Sequence, residues 1–254
     1  MLTAEELQKQ RRFAELAERA YTGGRYTFTD FLGLSERDLL LQTERELSYA
    51  GLTLFGGTEG CERVMARFGS EELCPHDSGD FPIVCVKAEP VQQKFADALT
   101  HRDLLGALMN LSIAREKLGD IALEGNVAYL FCAKSVLPVI LEELVQAKHT
   151  RLRCTVAEHI PEGLCSRTEE RFLQIASERM DVLVAAVYRL SREESLTLFR
   201  EKRVFSDGKL TENNSGAAKE GAIISVRGFG RFRYLGVLST SKKGKLNIRV
   251  EVFV

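Results

Sequence analysis

Hydrophobic and polar positions change rhythm twice along the 254 residues. In a first block, residues 1–79, "AEELQKQRRFAELAERAY" puts Leu7, Phe13, Leu16, Ala17 and Ala20 on one helical face. A second helix is expected from Ser35, with Ser35 and Asp38 at its cap and Leu39, Leu40, Leu41 and Leu47 following. "LTLFGGTEGCERVMARFG" reads as a strand, a glycine-rich turn and a short helix, and "SEELCPHDSGD" as a turn-rich linker. A second block, residues 80–165, alternates differently. "FPIVCVKA" is a strand and "LTHRDLLGALMNL" a helix. "DIALE" and "VAYLFCA" form a hairpin about Gly125-Asn126, "SVLPVILEELVQAK" is a helix with Pro138 in its first turn, and "RLRCTVAEHI" is a closing strand. That order, βαββαβ, is the ferredoxin-like plan shared by RNA-recognition motifs. The third block, residues 178–254, holds two helices, "MDVLVAAVYRL" and "SREESLTLFREKR". The strands "VFS", "AIISVRG", "RFRYLGVLST" and "KLNIRVEVFV" follow, with turns at Asp207-Gly208 and "KKGK". The expected fold class is therefore α+β: a helical/α+β block, a ferredoxin-like (RRM-like) domain and a small C-terminal domain.

Composition narrows the function classes. Hydrophobic residues at 44% and charged residues at 28% are ordinary for a globular chain. No apolar run reaches the roughly 18–20 residues of a membrane span. The charged amphipathic N-terminus lacks a signal-peptide core, so a cytoplasmic location is expected. Six cysteines include no C-x-x-C pair, and Cys85 and Cys132 lie in apolar runs; they read as buried, reduced thiols rather than a zinc or redox motif. His76, His101, His149 and His159 are scattered, and neither a metal nor a cofactor is expected. Charge is uneven. Residues 178–254 hold 15 Lys and Arg against 9 Asp and Glu, a net of +6, which leaves −7 for the rest of a chain of net −1. A basic tail on an acidic body suits an anionic partner, against the alternative of a solvated charged surface.

His101-Arg102-Asp103-Leu104 spells the opening of a protein-kinase catalytic loop. A kinase needs Asn five residues after the Asp; Leu108 stands there, and neither a glycine-rich ATP loop nor Asp-Phe-Gly accompanies it. The stretch is a helix in which Thr100 caps the N–H of Asp103 and Leu104, Leu105, Leu108 and Leu111 form the buried stripe. Arg102, Arg115 and Lys117 beside it read either as a second basic contact or as a solvated face. Gly56, Gly57 and Gly60 lack both the P-loop ending and the dinucleotide order, and read as a structural turn. Tyr129 and Phe131 alternate where an RNA-recognition motif carries its aromatic pair, but the flanking Lys/Arg-Gly pattern is missing and core packing is the better reading.

"LTHRDLLGAL", "REKLGDI", "TDFL" (29–32), "GGTEGCER" (56–63) and "ISVRGFGRF" (224–232), taken in order over most of the chain, resemble the YlmH family of bacterial RNA-binding proteins. The tail is similar to an S4 domain. Arg179-Met180-Asp181 stands for its Arg-Leu-Asp opening, Ser191-Arg192 for its Ser-Arg helix start, "KRVFSDGK" for its Gly-x-Val-x-Val-Asn-Gly turn and "GAIISV" for Gly-Asp-x-Ile-x-Val. Lys202, Asp207 and Ala222 depart from that pattern.

The resemblance implies a non-catalytic protein that binds structured RNA, ribosomal RNA or tRNA, on the large ribosomal subunit. It implies a part in rescuing stalled subunits or in cell division, without cofactor, membrane or small-molecule substrate. The implied RNA-binding residues are Arg179, Ser191, Arg192, Lys202, Arg203, Lys209, Arg227, Arg231 and Arg233; Arg102, Arg115 and Lys117 are a secondary set of candidates read from the residues themselves. Ser191 and Glu194 form a capping box that aims Arg192 from the first turn, and Phe229 or Phe232 offers a ring for stacking or for packing. The alternative is an S4-bearing RNA-modifying enzyme. A pseudouridine synthase needs its catalytic Asp in Gly-Arg-Leu-Asp on a larger sheet domain, and a methyltransferase a glycine-rich cofactor loop that only "LFGGTEG" approaches. A protein-interaction adaptor using the acidic first block is a third reading.

Overall fold

A computed structural model describes residues 3–253; the ends of the first and third expected blocks, Met1, Leu2 and Val254, lie outside the described residues. Two compact units divide the chain, one ending at Ser166 and the other beginning at Arg167. The protein is α+β, with seven α-helices and three antiparallel sheets among the described residues.

In the first unit, helix α1 (Ala4–Gly23) starts at a capping box between Thr3 and Glu6 and buries Phe13, Leu16, Ala17 and Ala20. Helix α2 (Leu34–Gln42) starts one residue before the expected Ser35. The carboxylate of Glu36 reaches back to the N–H of Gly33 at 2.9 Å and sets the cap there. Helix α3 (Glu44–Leu47) follows. Strands β1 (Thr27–Phe28), β2 (Leu52–Phe55) and β3 (Met65–Phe68) pair in the order β1-β3-β2. The expected short helix after the glycine turn is therefore the central strand β3. It is paired on both sides and buries Met65, Ala66 and Phe68, a use that local pattern alone does not reveal.

Strands β4 (Ile83–Pro90), β5 (Leu118–Glu124), β6 (Val127–Ala133), β7 (Gln146–Ala147) and β8 (Thr150–Val156) form a sheet of order β5-β6-β4-β8-β7, all antiparallel. Helices α4 (His101–Asn110) and α5 (Leu137–Glu143) cover one face, with Leu104, Leu108 and Ile140 packed on Val86, Ala128, Leu130 and Cys132. Thr100 caps α4 as expected, its Oγ1 accepting the Asp103 N–H at 3.3 Å. On the other face Cys85, Tyr129 and Phe131 pack against Phe31 and Met65 of the first block and Leu164 of the closing loop. Strand β6 is thus buried on both sides. Close approach there needs glycine: a Cβ on Gly119 would lie 2.7 Å from the Phe31 ring and 2.9 Å from the Cβ of Phe131.

In the second unit, β9 (Thr168–Ile175), β10 (Val204–Ser206), β11 (Lys209–Leu210), β12 (Ile223–Val226), β13 (Gly230–Thr240) and β14 (Leu246–Phe253) form one sheet of order β11-β10-β12-β13-β14-β9. Helices α6 (Met180–Tyr188) and α7 (Arg192–Arg200) pack on one face, where Leu183, Val184, Val187, Leu198 and Phe199 meet Phe232, Tyr234, Ile248 and Val250. Strand β9 was not expected: "TEERFLQI" is a mostly exposed strand at the sheet edge, paired to β14, with little apolar alternation to mark it. Among the described residues no helix is long and apolar enough to cross a membrane.

Because Phe131 is only 1% exposed, Phe131→Ala should lower the unfolding free energy by about 3–5 kcal/mol in urea denaturation. A loss below about 1 kcal/mol would mean that this face is open rather than packed.

Candidate nucleic-acid interface

The second unit is tied together at Asp181. Its residue is 3% exposed, and Arg179 clamps its carboxylate bidentately, Nε to Oδ1 at 3.0 Å and Nη2 to Oδ2 at 2.8 Å. The Val182 N–H and the Asn214 amide donate to the same carboxylate, and the Asp181 N–H donates to the Asn214 carbonyl at 3.0 Å. From α7, the Ser195 hydroxyl donates to the Asp181 carbonyl at 2.8 Å. One residue therefore joins the start of α6, the 213–216 loop and α7. The Arg179 guanidinium, against the opposing effect of burial, holds the Asp181 carboxyl below the usual carboxylate range.

Helix α6 ends at Arg189, which adopts a left-handed cap (φ 55°). Three residues on, α7 opens at the expected box: Ser191 Oγ accepts the Glu194 N–H at 3.2 Å and the Glu194 carboxylate accepts the Ser191 N–H at 2.7 Å. With that carboxylate already at the helix start, the exposed positive charge of the turn lies in its side chains rather than in bare N–H groups. Arg189 and Arg192 are exposed, and neither is ion-paired among the described residues.

The β12–β13 turn meets this end of α6. The Tyr188 ring lies 5.5 Å from that of Phe229 and 5.9 Å from that of Phe232. Phe229 is 43% exposed, whereas Phe232 is buried, so of the two rings only Phe229 is open to a stacking partner. Arg203 shapes the turn: its Nε and Nη2 donate to the Arg227 carbonyl at 3.1 and 2.6 Å, and its guanidinium lies 5.8 Å from the Phe229 ring. Cations and an aromatic pair thus share one corner, a composition that binds phosphate through the forks and an unpaired base through the ring.

The expected residues do not all gather there. Arg179 is spent on Asp181. Lys202 pairs with Glu212 at 3.4 Å and Arg203 with Glu201 at 3.0 Å, both exposed pairs of small energetic weight. Lys209 is exposed at the β10–β11 turn, and Arg227 is exposed beside Phe229. Arg231 and Arg233 alternate with the buried Phe232 and Tyr234, so they point from the sheet face opposite α6 and α7. There Arg231 stacks on Phe253 at 4.3 Å and Arg233 pairs with Glu251 at 2.7 Å. Strand alternation puts Arg231 and Arg233 on one shared face, away from the turn that carries Arg189 and Arg192.

In the secondary set, Lys117 pairs with Asp30 at 2.6 Å. Arg115 donates to the Leu118 carbonyl at 2.8 Å, its pKa held down to about 10 by burial and by Arg63. Both hold the chain around β5; Arg102 alone is exposed and unpaired among the described residues. Sequence reading missed Arg189, whose signal is its place between two helical stripes, and the outer sheet face, where Phe172 is 65% exposed beside Arg249.

Comparison with known proteins agrees with the motifs. Residues 76–159 match the family model described as "Putative RNA-binding domain in YlmH". A protein of Bacillus subtilis (strain 168), "Ribosome-associated protein quality control protein P2", is 29% identical over 234 residues, covering 89% of this chain and 87% of its own. A solved structure, "Cell division protein ylmH from Streptococcus pneumoniae", superposes with a TM-score of 0.47 at 18% identity, over 62% of this chain and 93% of that one. The family model and the Bacillus subtilis relative support the resemblance to the YlmH family that the sequence motifs carry.

A lowered folded-state pKa for Asp181 means a stabilising contribution that is full above the unfolded carboxyl's pKa and is lost as pH falls through the folded one. Asp181→Asn should therefore cost about 1–3 kcal/mol near neutral pH, and its deficit relative to wild type should shrink below about pH 4. Denaturation at a series of pH values reads this, and a deficit independent of pH would contradict it.

Proposed function

We propose that this protein binds structured RNA, ribosomal RNA or tRNA on the large ribosomal subunit, and that it works by holding RNA rather than by catalysis. The observation that carries the reading is the α6–α7 corner, where exposed, unpaired Arg189 and Arg192 follow Tyr188 in the turn and the Tyr188 ring packs on the exposed Phe229. The RNA-binding description of the matched family domain and the ribosome-associated name of the Bacillus subtilis relative support it. A ribosomal partner would place the protein in the cytoplasm, acting in the quality control of stalled subunits.

The C-terminal unit is read as an S4 domain: two short helices joined by a basic turn, followed by the β10–β12 strands. In this reading Ser191 shapes the turn, Arg192, Lys202, Lys209 and Arg227 neutralise phosphates, Arg203 presents Phe229, and Arg179 acts through Asp181 as a positioning residue. Arg231 and Arg233 lie on the opposite sheet face, outside this contact. The middle block is read as ferredoxin-like, since β5-β6-β4-β8 follows the 2-3-1-4 order of a βαββαβ unit. Its buried Tyr129 and Phe131 rule that sheet face out as a stacking platform, and Arg102 remains its candidate contact.

Arg189→Ala with Arg192→Ala should weaken RNA affinity and reduce the log–log salt slope by about 1.4–1.8, the weight of two phosphate contacts, with circular dichroism unchanged. An unchanged slope in the folded double variant overturns the placement of the site.

A further inference from the structure

The turn "GGTEGC" is folded back more tightly than a strand connection requires. Gly57 and Gly60 hold φ of 108° and 82°. A Cβ on Gly56 would lie 2.3 Å from the Cβ of Cys61, and one on Gly60 would lie 2.1 Å from the Ser166 hydroxyl oxygen. This fold brings Cys61 to Cys165, 104 positions away, with the Cys61 thiol donating to the Cys165 sulfur at 3.5 Å. Asp120 of β5 completes the group: the two sulfurs and a carboxylate oxygen lie within 4.8 Å of one another, with Cys165 buried and the other two half-buried.

We propose that Cys61, Cys165 and Asp120 form a zinc-binding site of three protein ligands, with water in the fourth position. A tetrahedral ion with two bonds to sulfur of about 2.3 Å spans a sulfur–sulfur edge of roughly 3.8 Å, close to the separation found. Two thiolates select a thiophilic ion over magnesium or calcium.

The carboxylate is already oriented, its Oδ2 accepting the Glu62 N–H at 2.5 Å and its Oδ1 the Arg63 N–H at 3.1 Å. Two backbone donors leave lone pairs free, since a carboxylate offers about four acceptor positions. They act as the outer hydrogen bonds that aim a ligating oxygen.

Binding exchanges protons for metal: two thiols and Zn²⁺ give a zinc dithiolate and two released protons, with no oxidation. With Asp120 the site then carries one net negative charge, which the neighbouring Arg63 and Arg115 offset. A disulfide between the same cysteines would make no use of the free lone pairs of the oriented carboxylate and would need an external oxidant. The ion would pin three segments far apart in sequence, the glycine turn, β5 and the Leu164–Ser166 loop, beside the buried face around Phe131. Ligands so widely spaced leave no local motif, which is why the cysteine pattern predicts no metal.

The test is titration of the reduced, full-length chain with Co²⁺, followed by Zn²⁺. The expected result is an equimolar thiolate-to-cobalt charge-transfer band that Zn²⁺ abolishes. Cys61→Ser and Cys165→Ser should lose the band and Cys154→Ser should keep it, while Asp120→Asn weakens zinc on the order of 10- to 100-fold. The wild-type spectrum needs no variant to fold. Absence of the band in the folded wild-type chain, its survival in Cys61→Ser, or a Cys61–Cys165 disulfide forming despite added zinc would each overturn the proposal.

Discussion

The contact on which the proposed RNA-binding surface depends is the bidentate grip of Arg179 on the buried carboxylate of Asp181. Through Asn214 and Ser195 the same residue ties a loop and the second helix to the first. An unpaired carboxylate at 3% exposure would be costly, so the arginine and the loop are required together. Their reward is geometric. With α7 fixed against α6, the turn between them is short, and Arg189 and Arg192 have nowhere to point but outward. Arg179, the residue that resemblance marks first as an RNA ligand, is instead engaged in holding the frame of the proposed surface.

The first unit imposes a complementary restriction. A βαββαβ sheet has one face covered by its own helices and one free face that many such units use for ligands. Here the N-terminal block supplies Phe31 and Met65, and the closing loop Leu164, to that second face. Burial of Tyr129 and Phe131 stabilises the first unit and removes a platform, so the proposed RNA contact rests on the exposed cations and rings of the C-terminal unit. The family model covering residues 76–159 describes a domain whose aromatic strand is inward-facing in this chain.

Legibility in the sequence followed the range of the interactions. Helix α1, the Thr100 cap, the Gly125-Asn126 hairpin and the Asp207-Gly208 turn are decided by residues within a few positions and form where their patterns predict, although Leu7 of the expected α1 face is exposed. Strand β3 was misread as a helix because its strand character lies in partners on either side, tens of residues away. Strand β9 escaped because an edge strand has little apolar alternation to show. Of the candidate site, the capping box and Arg192 were visible. The split of Arg231 and Arg233 to the opposite face was not, because it requires knowing which side of β13 meets the helices. Cys61, Asp120 and Cys165 are separated by tens of residues, and only the folded turn brings them together.

The central claim is that RNA is gripped at the α6–α7 turn and not on the sheet of the middle block. Ultraviolet crosslinking of the full chain to ribosomal RNA, with the modified peptides mapped by mass spectrometry, tests it most directly. The account predicts adducts on the peptides that carry Tyr188 and Phe229. Adducts confined to the peptides of β4 and β6, with the C-terminal unit unmodified, would contradict it.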